Sequence, residues 1–256
     1  MNSADYLKSV LRVLLWPAPK VIFDVGACDG VDTLRYQKLF PMARFFVFEP
    51  LPRNVEKLRN IFGRSNQSPP DTFIAGIALS DLDGEATFHV SAGDPDRIET
   101  DDEKKSEIGN KASSLLQPRH ELPEMLRWME FPEQIAVPTA RLESFCREHA
   151  LRRIDFIHMD VQGAEKKVLS GAGQMLGKIG VIWMEVAFEP SYECQPLEPE
   201  MTDWMRRQGF RKLHAVSYGP EGDALYFNMR HFSSWPRLLL LKLLQRWGVV
   251  RYHRDA

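Results

Sequence analysis

Apolar residues along this chain follow two alternating rhythms. Between Tyr6 and Trp16 the spacing is helical, with Leu7, Val10, Leu11, Leu14 and Leu15 on one face, as a period of 3.6 residues requires. Pro17 and Pro19 end that segment, since neither can continue a helical hydrogen-bond ladder. Val21 to Val25 is a short apolar run that reads as a strand, and a helix is predicted from about Asp29 to Phe40. "ARFFVFEP" reads as a second buried strand and "RNVEKLRNIF" as a helix. "TFIAGIALS" predicts a third strand, joined by the turn "DLDG" to "EATFHV", whose alternation suggests a hairpin partner. Further on, "QIAVPTA", "IDFIHMD" and "IGVIWMEV" read as strands, and "RLESFCREHA", "AEKKVLSGAGQML" and "PEMTDWMRRQGF" as helices. "RKLHAVSY" and "ALYFNMR" flank the turn "GPEGD" and read as two closing strands that form an antiparallel edge. Strands that alternate with helices predict a mostly parallel sheet covered on both faces.

Composition divides this pattern into segments. From Ser91 to about Lys111 the chain turns polar and acidic and loses its large apolar residues, as a solvated insertion does. The expected organisation is an N-terminal helical segment over 1–19, a main domain over 20–232 with a variable insertion or lid at 91–133, and a basic amphipathic segment over 233–256. A chain of 256 residues, 44% hydrophobic, can bury one large α/β core. Its net charge of −2 gives no argument for a nucleic-acid partner. Three widely spaced cysteines, Cys28, Cys146 and Cys194, suggest neither a disulfide framework nor a zinc site, and a reducing compartment is the simplest setting. Asp5, Lys8 and Arg12 interrupt the first apolar run, which makes it a poor signal peptide, so a cytoplasmic location is expected.

The chemistry gathers where strands end. In such a sheet, ligands sit beyond the carboxyl ends of the strands. The first strand ends in "DVGACDG", where Gly26 and Gly30 allow tight turning before a helix N-terminus. The second ends at Glu49, nineteen residues after Gly30, close to the roughly 20 expected for an acid that accepts ribose hydroxyls. A dinucleotide fingerprint would place glycines where Cys28 and Val31 stand, which disfavours a nicotinamide oxidoreductase. Asp24, just before the loop, would repel a pyrophosphate and attract an ammonium group. That sign favours S-adenosylmethionine, which carries an amine and a sulfonium and no phosphate. A later strand delivers Asp160 at its end, with Gly163 and Glu165 following. Two acids flanking a turn read as a general base with its support, a metal pair, or a helix cap. His158 is a second candidate base, and Glu185, near the end of the next strand, could join Asp160 on magnesium.

These stretches, "VIFDVGACDG", "VFEP", "ALSDLDGEATF" and "MDVQGAE", resemble in order the FkbM family of S-adenosylmethionine-dependent methyltransferases, roughly from Val21 to Val186. Gln162 stands where the family usually has an acid, and His158 where it commonly has a lysine; "ASSLL", with Ser113 and Ser114, resembles a serine pair in the family's variable middle. The resemblance implies a class I, Rossmann-like three-layer sandwich with a seven-stranded, mostly parallel sheet whose last strand is antiparallel. It implies methyl transfer from S-adenosylmethionine to an oxygen of a sugar, glycolipid or other small molecule. Carried over by position, it assigns Asp24, Gly26, Ala27 and Gly30 to the cofactor loop and Glu49 to the ribose. It assigns Leu79, Ser80 and Asp81 to the adenine region and Asp160 to the reaction end. The loss of an acid at Gln162 weakens the case for a divalent metal. A non-catalytic binding protein on the same fold is the alternative function.

The C-terminal segment sets a leucine run between Trp235 and Trp247, with Arg237, Lys242, Arg246, Arg251 and Arg254 nearly unopposed by acids. It is shorter than the roughly 20 apolar residues that span a bilayer. It reads as a helix packed on the domain, a dimer contact, or an interfacial anchor on anionic lipid. As an anchor, it predicts that the full-length protein floats with anionic liposomes while a chain ending near Phe232 does not. Equal flotation of the two would remove that reading.

Overall fold

The structure, a computed structural model, describes residues 10–63, 71–93 and 110–231. The expectations for the basic C-terminal segment, for 94–109 of the insertion and for the start of the first helix lie outside those residues.

A helical stretch over 10–14 leads to β1 (Val21–Val25), α1 (Val31–Leu39), β2 (Arg44–Phe48), α2 (Pro52–Phe62) and β3 (Thr72–Ala75). The second half holds β7 (Ile154–Met159), α4 (Glu165–Ser170), β8 (Ile179–Ala187), α5 (Glu198–Arg207), β9 (Phe210–Ser217) and β10 (Glu221–Asn228). These seven strands form one sheet in the order β3-β2-β1-β7-β8-β10-β9, in which β10 is antiparallel to both neighbours. The expected three-layer, mostly parallel arrangement is therefore present. Alternation along each strand sends side chains to opposite faces, so each strand feeds two cores. Phe23, Val25, Phe46, Phe48, Ile157 and Met159 pack under one helical layer. Ile22, Phe45, Val47 and Phe156 pack under the other, with Leu11 and Leu14 of the N-terminal helix and Tyr36 of α1.

The closing strands pair antiparallel at one end of the sheet, as expected, with β10 inside and β9 outermost, and β10 is accordingly enclosed along most of its length while β9 is partly open. Two local expectations are corrected. The third strand is split. Its second half, β4 (Ala78–Ser80), joins a separate sheet in the order β4-β6-β5, in which β5 (Gly84–Ala92) pairs with the long β6 (Glu130–Arg141) rather than with a hairpin partner. The "DLDG" turn is still used, but Asp83 in it accepts the Arg141 backbone N–H at 2.7 Å and so ties the turn to β6. Finally, α4 stops before Gly171 and the chain continues as a 3-10 helix from Gly173. At Gly171 a β-carbon would lie 1.9 Å from the Ser80 carbonyl oxygen, so the backbone of β4 passes too close for any side chain.

The remaining helix, α3 (Leu142–Glu148), packs Phe145 against Phe23, Phe46 and Phe48. Among the described residues no helix is long and apolar enough to cross a membrane. The start of β1 is fixed by Asp155, whose carboxylate accepts the backbone N–H groups of Lys20 at 2.7 Å and Val21 at 3.0 Å. Replacing it leaves two donors without their partner. Asp155→Ala is expected to lower the unfolding free energy by about 1–3 kcal/mol, measured from urea denaturation; an unchanged midpoint would show that water serves these donors equally well.

Candidate active site

At the carboxyl ends of β1, β2 and β7, and beside the start of β4, the chain leaves a hollow that is lined by Gly26, Cys28, Glu49, Leu79 and Asp160 among others. The loop after β1 is built on left-handed backbone at Gly26 (φ 87°), Cys28 (φ 47°) and Gly30 (φ 75°). Only glycine takes this conformation freely. At Gly26 a β-carbon would lie 1.8 Å from the Asp160 carbonyl oxygen, so the loop after β1 can pass the end of β7 only as glycine.

Glu49 is buried, and its two oxygens accept the backbone N–H groups of Cys28 at 2.9 Å and Leu51 at 2.8 Å. Burial nevertheless pushes its pKa up, to about 7, against those hydrogen bonds. A carboxylate with unused lone pairs facing an apolar-walled hollow is suited to accept hydroxyl groups.

Beside this hollow lies a cleft lined by Asp24, Asp32, His158 and Asp160. Asp24 and His158 are register partners on adjacent strands. Asp24 is fully buried, takes a hydrogen bond from the Thr33 hydroxyl, and lies 2.9 Å from His158 Nδ1. Burial alone would drive the imidazole neutral, but the Asp24 hydrogen bond and charge overcome it and raise the His158 pKa to about 9. Asp160 is exposed to the cleft, with protein packed closely behind its carboxylate. That enclosure raises its pKa, and Asp32 and Asp24 add to the effect, while Gln162 and His158 oppose it. Around the rim, Glu165 is pushed up to about 8 and Glu185 well above the carboxylate range, both by burial first and by Asp160 as a further cause. Acids thus dominate this end of the sheet, and the raised pKa values make it a setting that a cationic ligand relieves and a phosphate aggravates.

A family model described as the Methyltransferase FkbM domain matches residues 24–212. The chain belongs to the FkbM methyltransferase family. As a member, it is an S-adenosylmethionine-dependent methyltransferase. It is 35% identical over 230 residues to the 2-O-methyltransferase NoeI of Sinorhizobium fredii, covering 90% of this chain and 87% of that one. It is also 30% identical over 235 residues to the AMB antimetabolite synthetase AmbE of Pseudomonas aeruginosa, covering 82% of this chain but 11% of that protein. Among solved structures, Aeropyrum pernix fibrillarin in complex with S-adenosyl-L-methionine aligns at TM-score 0.47 and 13% identity, over 88% of this chain and 73% of that one.

Within this FkbM member, the residues singled out from the sequence fall into three groups. Gly26, Glu49, Leu79 and Asp160 line the common hollow, and Ala27 lines the cleft beside it. Asp24 lines the cleft as well, but its carboxylate is already engaged by Thr33 and His158. Gly30, Ser80 and Asp81 do not line the hollow. At Gly30 a β-carbon would meet Leu58 and Phe62 at 2.9 Å, so this glycine serves helix packing. The Ser80 hydroxyl donates to Asp81 at 3.0 Å, and Asp81 faces Lys167 at 3.5 Å. His158 is held in its charged form and is unsuited to act as a base near neutrality. Glu185 meets Asp160 only through Gln162, whose amide nitrogen donates to Asp160 at 2.8 Å and Glu185 at 2.9 Å. Among the described residues no group of three or more metal-ligating side chains converges. Cys28 has its thiol pushed up to about 12 by burial, Glu49 and Asp29, as expected of a packing residue rather than a nucleophile.

Sequence reasoning missed Asn54, Asn110 and Lys111. All three line the hollow. Asn110 bridges Asn54 at 3.1 Å and the Cys28 thiol at 3.3 Å, and Lys111 pairs with Asp29 at 2.8 Å. No local pattern marks Asn110 and Lys111, since their partners lie more than fifty positions away. The serine pair carried a usable signal: Ser113 lines the hollow and Ser114 donates to the Gln162 carbonyl at 2.7 Å.

The raised pKa of His158 fixes the sign of one pH dependence. Its contribution to stability is fully present below the ordinary value of 6.5 and is lost as pH rises through about 9. Unfolding free energies measured by denaturant are expected to fall between those limits, and to fall less steeply in His158→Asn. Equal slopes in the two proteins would mean that the pair is not charged.

Proposed function

We propose that this chain transfers the methyl group of S-adenosylmethionine to a hydroxyl of a sugar, glycolipid or other small molecule, with Asp160 taking the hydroxyl proton. The observation that carries the reading is that Glu49 and Asp160 line one hollow at the carboxyl rim of the sheet. The similarity to a relative named as a 2-O-methyltransferase supports oxygen as the acceptor atom.

The residues present fit this cofactor. Glu49 would accept the ribose hydroxyls, Leu79 with Ile77 and Ala78 would form an apolar wall for the base, and the acids around the cleft suit a cationic sulfonium and amine. When bound, S-adenosylmethionine supplies the methyl group on a positively charged leaving group. The protein's share is alignment and proton removal. Asp160 faces both the hollow and the cleft, where it can orient an acceptor hydroxyl and receive its proton. Its raised pKa strengthens it as a base. His158 keeps Asp24 neutralised and leaves Asp160 as the exposed acid of the cleft.

Calorimetry with S-adenosylhomocysteine is expected to show binding to the native protein that Glu49→Ala weakens about 10- to 100-fold, the loss of charge-assisted hydrogen bonds. Asp160→Asn is expected to bind this ligand within about tenfold of native affinity. It is expected to lower labelled methyl transfer into a metabolite or glycolipid extract by about two to four orders of magnitude. Failure of the native protein to bind either S-adenosylmethionine or S-adenosylhomocysteine at millimolar concentration would overturn the reading in favour of a binding protein on this fold.

A further inference from the structure

Gln162 is buried with left-handed backbone, φ 54°, a conformation that side chains other than glycine seldom take. Three surrounding elements hold it there. Its carbonyl oxygen accepts the Ser114 hydroxyl at 2.7 Å. Its side-chain oxygen faces the Tyr192 hydroxyl at 3.4 Å. Its amide nitrogen donates to Asp160 on one side and to Glu185 on the other, at 2.8 and 2.9 Å. A hydroxyl on one side and two acids on the other fix which way round the amide lies.

Two carboxylates aimed at a shared point ordinarily require a cation or a proton between them. Here the point is filled by the two hydrogens of one amide. We propose that Gln162 is a positioning residue that takes the place of a bridging cation between Asp160 and Glu185 and holds the Asp160 carboxylate aimed at the acceptor. The inference rests on the reading of Asp160 as the acceptor-side base. Many charges act on that carboxylate: His158 from β7, Asp24 from β1, Asp32 from α1, Glu165 from α4, Glu185 from β8, and Glu221 and Asp223 from β10. Cys28 and Lys111 also sense it from the cofactor side. Of these groups, His158 is the nearby cation that lowers the Asp160 pKa, and Gln162 is the hydrogen-bond donor that does so.

The test compares the native protein with Gln162→Leu, which keeps the bulk and loses the donors, and Gln162→Glu, which keeps the shape and adds a third acid. Thermal unfolding shows which variants fold. The Asp160 side-chain carboxyl, assigned by its absence from Asp160→Asn, is followed by carbon-13 NMR across pH and needs no acceptor. Its apparent pKa is expected to rise by about one unit or more in either folded variant. An unchanged value in a folded variant overturns the inference. Methyl transfer to a panel of methyl glycosides is expected to fall about 10- to 100-fold in kcat, with KM for S-adenosylmethionine nearly unchanged. Titration with Mn²⁺ is expected to be silent for the native protein at about 1 mM and to show one site in Gln162→Glu. Binding of Mn²⁺ by the native protein would overturn the claim that the amide holds the cation's place. The two readings fail separately. Full activity in Asp160→Asn removes the base itself, whereas an inactive Asp160→Asn beside an unaltered Gln162→Leu removes only the role of Gln162.

Discussion

Like charges crowd the carboxyl edge of this sheet, and the arrangement depends on how their repulsion is held down. Asp24, Asp32, Asp160, Glu165, Glu185, Glu221 and Asp223 come from six elements and influence one another's protonation. In so enclosed a setting their repulsion would open the rim or force protons onto the acids. Two devices limit this. His158 sets a positive charge against Asp24 at 2.9 Å, and Gln162 sets two donors between Asp160 and Glu185. The acids that remain raised, Glu49 among them, are those a ligand would relieve by offering hydroxyls or positive charge.

The same constraint explains why the ends of the strands are small. A β-carbon at Gly26 would collide with the Asp160 backbone, so the loop after β1 can approach β7 only as glycine. The close approach brings Asp160 to the boundary between the hollow and the cleft, where it borders both. The second sheet closes the other side of the hollow. Leu79 of β4 and Phe88 of β5 line it, and Ser91 on β5 accepts the Ala112 N–H at 3.1 Å, which ties down the segment that carries Asn110 and Lys111. The described part of the variable middle thereby supplies one wall of the hollow.

What the sequence made legible was local. Val21–Val25, Arg44–Phe48 and Ile154–Met159 announced themselves as apolar runs ending in small or acidic residues, and the acids at their ends do share a rim. The fate of "EATFHV" was not legible, because its turn chemistry pointed to a neighbour while its partner, β6, begins forty-six residues after Gly84. The same limit hid Asn110 and Lys111, which lie in a stretch without periodicity and acquire meaning only from Asn54, Cys28 and Asp29. Asp24 shows the reverse error. Its place before the loop suggested a free acid, and only the register that sets it beside His158 reveals an acid already paired.

That pairing changes how the two ends of the site divide their work. An unpaired Asp24 would compete with Asp160 for any cation and any acceptor proton. Once His158 and Thr33 occupy it, Asp24 contributes to the field of the cleft without offering a free oxygen to a ligand. Glu49 lies at the β2 end of the hollow, with its oxygens steadied by two backbone donors, and suits neutral hydroxyls. Asp160 lies at the β7 end, where burial first and the acids Asp32 and Asp24 after it raise its pKa, a setting that suits the cationic methyl donor of the proposed reaction better than an anionic one. Methyl transfer to an alcohol demands both properties in one place: the donor must be drawn in by charge, and the proton must leave to an acid whose affinity for it has been raised. On the proposed reading the same cluster of acids would supply both, with a histidine set against Asp24 and a glutamine set between Asp160 and Glu185.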